Sequence, residues 1–219
     1  MTSLVTGPAT RYDVYGARMV SSARFVVTPD HTMNQTIELL LTRRSVPPRL
    51  LTFPAPTAEQ LTTLLTIASR VPDHGRAVPW RFIVFSPEGA ARIGETIAAE
   101  YAAHHPDATD AVMESERGRL LRAPLVVAIV ARPHEHPKAP EWEQLLSTGA
   151  AAMSLVIAAN AMGYGANWHT EWYAYDRRVL TAIGLGDKER IAGFIHIGTP
   201  VERSGERPRP ALEEIVTRI

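Results

Sequence analysis

The stretch from Leu145 to Met162 carries no charged residue, and it limits the fold more than any other part of the chain. A charge-free run of that length either crosses a membrane or lies in a core. Ser147, Thr148, Gly149, Ser154, Asn160 and six alanines make it only weakly apolar, so it reads as a buried helix packed through small residues. The helix is expected over 141–162 and ends at Gly163-Tyr164-Gly165, where a glycine just past the last turn relieves the left-handed strain of a C-cap.

Shorter helices flank it. Residues 33–44 carry Ile37, Leu40 and Leu41 at helical spacing, and 57–70 carry Leu61, Leu64, Leu65 and Ala68 at i, i+3, i+4 and i+7. Thr57 followed by Gln60 has the spacing of a capping box, preceded by Pro56. Helices are also expected near 88–103, 107–120, 174–183 and 211–217. Three runs rich in Val, Ile and Phe, RFIVFS (81–86), PLVVAIVA (124–131) and RIAGFIHIG (190–198), read as core strands. The connector SVPPRLLTFPAP, with four prolines, reads as extended. This order predicts an α+β domain over 33–219, with helices layered on one small sheet. Residues 1–32 read as a loosely ordered N-terminal extension.

Composition then removes whole classes of function. With 219 residues the chain has room for one domain with a real core. Lys+Arg and Asp+Glu are both 23, so the basic excess of a nucleic-acid binder is missing. The absence of cysteine excludes disulfides, thiolate catalysis, Cys-ligated zinc and iron–sulfur clusters. With no secretion signal in view, the expected location is cytoplasmic, with neither membrane nor nucleic acid as partner. No G-x-G-x-x-G, P-loop or G-x-S-x-G occurs, so neither a Rossmann turn, a phosphate loop nor a nucleophile elbow is available. His134-Glu135-His136 invites a metal-hydrolase reading, but the spacing matches no helical H-E-x-x-H and no third ligand is placed by sequence. A solvated loop explains it as well, and no metal is expected.

What remains is arginine-centred. Arg43-Arg44-Ser45 stands at the end of the first helix. Cations there offset the helix dipole, worth roughly 0.3–1 kcal/mol, and the same guanidiniums could grip a phosphate through bidentate hydrogen bonds. Arg70 repeats that choice at the end of the second helix. His74 follows in a Pro-Asp-His-Gly turn, and Trp80 opens the next strand.

The ordered series R-R-S, P-A-P-T-x-E-Q-L, R-x-P-D-H-x-x-x-x-P-W-R-F, W-E-Q, A-M-G-Y-G-A-N-W and G-F-I-H-I-G-T-P resembles the nitroreductase family, most of all its compact single-domain branch of NAD(P)H nitroreductases. The resemblance runs from about residue 35 to 200. It implies helices packed around a small central mixed sheet, in an intertwined homodimer with FMN in a groove between subunits. It also implies an NAD(P)H oxidoreductase that passes hydride through flavin N5 to nitro-organic or quinone-like acceptors in a ping-pong cycle. No protein residue need be catalytic, because the flavin carries the chemistry.

Position by position, the resemblance makes Arg43, Arg44 and Ser45 contacts of the flavin phosphate and ribityl chain. Arg70 and His74 become further flavin contacts, and Trp168, His169 and Thr170 a third stretch. Ala158, Ala159, Asn160, Ala161, Met162 and Gly163 match the stretch assigned to NADH or NADPH. Helix 141–162 becomes a dimer interface whose small residues let two backbones approach. His169 departs from the arginine common in this branch, so a titratable imidazole replaces a fixed charge. A flavin-binding or flavin-sequestering protein of the same fold, without catalysis, is the alternative.

Overall fold

The computed structural model describes residues 34–202 and 204–219; the expected extension over 1–32 lies outside the described residues. The three β-branched runs form β2 (Trp80–Phe85), β3 (Leu125–Ala131) and β5 (Arg190–Pro200). They are joined by two strands the sequence reading did not assign, β1 (Leu51–Thr52) and β4 (Gly165–His169). β5 lies beside β3 on one edge, and its other edge takes β4 and then β1. β2 closes the far side against β3.

Every ladder among the described residues is antiparallel, which corrects the expected mixed sheet. The reason is topological. β3 and β4 do run parallel and are linked by the long helix α5 (Glu141–Ala161), but β5 is inserted between them and pairs antiparallel with both.

The two faces of the sheet are covered by different helices, which is why β3 is buried along its whole length and reads as an unbroken apolar run. On one face Leu125, Val127, Ile129, Ile195 and Ile197 pack against α2 (Ala58–Ala68) and α5. On the other, Val126, Ala128, Val130 and Phe194 pack against α3 (Pro87–His104) and α6 (Arg177–Ile183). The register shifts between Ile129 and Val130, and this bulge lets Ile191 and Phe194 share a face although they are three residues apart.

Local signals account for the helix ends. Thr57 Oγ1 accepts from the Gln60 N–H at 3.2 Å and Gln60 Oε1 accepts from the Thr57 N–H at 2.9 Å, completing the capping box. Gly163 takes φ +85° after α5. α1 (Gln35–Thr42) and α7 (Leu212–Ile215) are shorter than expected. The helix expected over 107–120 is α4 (Asp110–Arg117) followed by a 3₁₀ turn at Arg119–Leu121. α6 starts late because Asp176 caps it, accepting from the Arg178 and Val179 N–H groups at 2.9 and 3.0 Å. The proline-rich connector holds a 3₁₀ turn at Pro48–Leu50 as well as β1.

α5 is the spine of the domain. Its alanines Ala151, Ala152, Ala158 and Ala159 face inward, so the small residues first serve the approach of α2 and the sheet. Trp142 and Leu146 are exposed on its outer face, with Gly149, Ala150 and Met153 half-buried along the same side.

Candidate functional site

At the C-terminal end of α5 an open cleft of about 290 Å³ is lined by Arg43, Arg44, Asn160, Gly163, Tyr164 and Ser204, among others. Arg43 is the C-cap of α1, and the chain turns irregular there, so both guanidiniums leave the helix axis. Arg44 donates to the Gly205 carbonyl and lies 3.7 Å from Glu206 Oε1. The Ser45 carbonyl accepts from Ser204 Oγ at 2.9 Å. Arg43 pairs with no carboxylate among the described residues. Asn160 donates to the Tyr164 carbonyl at 3.0 Å, leaving its own Oδ1 buried without a partner. A guanidinium with no carboxylate partner among the described residues suits an anionic group, and an orphaned acceptor suits a ligand O–H or N–H. Of the stretch matched to NAD(P)H, Ala158 and Ala159 are buried in the core. Asn160, Ala161, Met162 and Gly163 reach the outer surface.

At the N-terminal end of α5 lies the turn that carries Arg70 and His74. α2 stops at Ala68, Ser69 caps it and Arg70 follows, exposed. His74 Nδ1 is 2.6 Å from Glu143 Oε2 in the first turn of α5. Ser147 Oγ donates to the Pro72 carbonyl at 2.7 Å and Thr148 Oγ1 to the Pro79 carbonyl at 3.2 Å. Within the turn, Gly75, Arg76 and Val78 take φ of +66°, +59° and +47°, which for a β-branched valine is a costly conformation. It is held by the Asp73 carboxylate accepting from the Val78 N–H at 3.0 Å and by Arg132 Nε donating to the Val78 carbonyl at 3.0 Å. Trp80 is buried at the head of β2, an anchor for the strand rather than a ligand platform.

These two groups are not brought together within one chain. Glu143 and Asn160, their contact points on α5, are about 25 Å apart at the helical rise per residue.

The third stretch lies between them. Trp168 lies over Gly193, where a side chain would strike the indole, and donates from Nε1 to the Ala192 carbonyl at 2.9 Å. Thr170 is exposed. His169 turns to the α3 side of the sheet, edge-on to His196 with ring centroids 5.8 Å apart, its Nδ1 buried without a partner. His196 is wholly buried, and burial pushes its imidazole down to about 4, so it is neutral near pH 7.

Behind this stretch is an ionic cluster that the sequence reading missed. The Glu171 carboxylate accepts from Arg122 at 3.0 Å and from Arg119 at 3.2 Å. Arg119 also pairs with the buried Glu116, which accepts from Trp172 Nε1 at 2.9 Å. Burial opposes the charge on Glu171, but the hydrogen bond and charge of Arg122, joined by Arg119, hold its carboxyl below the usual range. The Glu116/Arg119 spacing was a usable signal; nothing local connects either arginine to Glu171. The His134 and His136 rings meet edge-on at 6.0 Å and brace their own loop, His136 Nδ1 accepting from the Ala139 N–H at 3.1 Å. No group of three His, Asp or Glu placed to hold a metal occurs among the described residues.

Comparison with known proteins places the fold and the family. The chain is 37% identical over 164 residues to the Escherichia coli K12 protein "Putative NAD(P)H nitroreductase YdjA", a match covering 75% of this chain and 87% of that one. The structure of a nitroreductase-like family protein from Bacillus cereus superposes with a TM-score of 0.71 at 24% identity, over 86% of this chain and 97% of that one. Iodotyrosine deiodinase bound to FMN and 3-iodo-L-tyrosine superposes with a TM-score of 0.61 at 19% identity, over 84% and 97%. The family model described as "Nitroreductase family" matches residues 40–199, from within α1 to the end of β5, and the chain therefore belongs to the nitroreductase family of oxidoreductases.

Proposed function

We propose that the chain is an FMN-dependent NAD(P)H oxidoreductase, acting in the cytoplasm as a homodimer on nitro-organic or quinone-like small molecules. The observation that carries this reading is the arrangement of two cationic groups at opposite ends of α5. The midpoint between Glu143 and Asn160 falls beside Gly149, Ala150 and Met153, on the outer face that Trp142 and Leu146 extend. A two-fold axis there would lay two copies of α5 antiparallel, so that the partner subunit's Arg70 and His74 arrive at the cleft of Arg43 and Arg44. Two copies then make two identical sites, each lined by both subunits.

In this reading Arg43, which meets no carboxylate among the described residues, binds the FMN phosphate, while Arg44 and Ser45 shape the cleft toward the ribityl chain. Trp168, His169 and Thr170 lie along the flavin. Asn160, Ala161, Met162 and Gly163 offer the surface for NADH or NADPH. FMN, when bound, supplies the hydride chemistry between the nicotinamide and the acceptor, in alternating half-reactions at N5. The chain's part is to bind, orient and keep the ligand apart from bulk water. Support comes from YdjA, named for NAD(P)H, and from the deiodinase, whose structure holds FMN.

An absorbance spectrum of the purified protein, followed by reduction with each nicotinamide and turnover with a nitroaromatic and a quinone, tests the proposal. A colourless protein that takes up no added FMN overturns it. Bound FMN without turnover selects instead the non-catalytic flavin-binding reading, which the engagement of Arg44 by the tail at Gly205 and Glu206 favours.

A further inference from the structure

Trp168, His169 and Thr170 are held from two sides. On one, the β4–β5 ladder ends at the pair His169 and Phe194. On the other, the next two residues are tied to α4 and the turn that follows it: Glu171 to Arg119 and Arg122 in and beside the turn, Trp172 to Glu116 in the last turn of α4. A strand end with a partner on one side only frays easily. Here the fraying residue is followed at once by charge-assisted bonds at 24% exposure on both the Arg122 and Glu171 side chains. We propose that Glu171, clamped by Arg119 and Arg122, is a positioning residue that sets the 168–170 stretch for the flavin; this rests on the function proposed above.

The charges fit that role. Glu116 and Glu171 are balanced by Arg119 and Arg122, so the clamp is neutral as a whole. Removing the Glu171 charge would leave two guanidiniums with one carboxylate between them, and the strand end would lose its anchor.

The test uses the full chain with Glu171→Gln, Arg122→Ala and Arg122→Lys. Glu189→Gln is the comparison, because it breaks the Arg81–Glu189 pair, similarly half-buried at 30% and 18% exposure. Two readouts are taken: amide hydrogen exchange of residues 168–170 on the FMN-free protein, and FMN affinity with the visible circular dichroism of the bound flavin. Glu171→Gln and Arg122→Ala are expected to speed exchange at 168–170 and to weaken FMN, each by about tenfold or more. They should also alter the flavin dichroism, with Arg122→Lys recovering part of each effect. Glu189→Gln should lower thermal stability comparably and leave all three unchanged. Exchange at 168–170 that does not respond to Glu171→Gln overturns the clamp. So does a wild-type-like FMN affinity and dichroism in that variant. A wild-type chain that binds no FMN overturns the functional reading instead, and with it the flavin as the clamp's purpose.

Discussion

The two ends of α5 both present arginines, yet they are built differently. At the N-terminal end the turn carrying Arg70 and His74 is pinned to the helix by Glu143, Ser147 and Thr148. Its backbone is locked in a conformation that Val78 would not adopt alone. At the C-terminal end Arg43 and Arg44 sit on an irregular segment whose partner is the tail, through Gly205 and Glu206, and its walls close on glycine. One end is rigid because the helix itself grips it; the other depends on a distant, exposed part of the chain. A ligand held by both would take its geometry from the first and its access from the second.

Mixing variants breaks or keeps this comparison most forcefully. Arg43→Ala/Arg44→Ala and Arg70→Ala/His74→Ala are each expected to lose FMN by about 100-fold or more, since hydrogen bonds to charged groups contribute about 1.5–3 kcal/mol apiece. Unfolding and refolding the two variants together should restore about a quarter of wild-type FMN occupancy, because each mixed dimer has one intact site. Recovery of no FMN would mean that the two ends never meet.

Acid should act on the stretch between the two ends through His196. His196 is held neutral in the fold and charges freely below about pH 6.5 once unfolded. Its stabilising contribution is therefore complete above pH 6.5 and lost progressively as pH falls toward 4. His169, Arg122 and the Arg119 and Phe194 backbone face it. His196→Gln should flatten the decline in urea stability over that window, an effect of up to about 3 kcal/mol.

At the C-terminal end, Gly165→Val would drive a Cβ to 2.6 Å from Leu51 and 3.1 Å from Val46. The expected loss is about 1–3 kcal/mol in urea unfolding, with exchange at the 70–80 turn unchanged. Ser147→Ala at the N-terminal end removes one hydrogen bond to Pro72 and should cost about 1 kcal/mol. It should also speed exchange in the turn without touching the cleft.

Strong local signals were legible in the residues. β3 announces itself by seven apolar residues buried on both faces, and α2 by a capping box that forms as its spacing implies. β4 was hidden because Gly165, Ala166 and Asn167 have little preference for strands; it exists through its pairing with β5. Arg43, Arg44, Arg70 and His74 could be singled out as chemistry-bearing, but no local rule could say that they belong to opposite ends of one helix. The Glu171 clamp joins residues 49 and 52 positions apart, beyond any spacing rule.

The amino-acid order by itself determined the helices, the core strands, their caps and the cationic groups, because propensity, periodicity and capping act over a few neighbouring residues. Tertiary structure alone decided that β5 enters between β3 and β4, that α5 separates the arginines by its own length, and that Arg119 and Arg122 find Glu171. Such meetings depend on how the whole chain returns on itself to bury two faces of one sheet, a constraint that no short window of sequence contains.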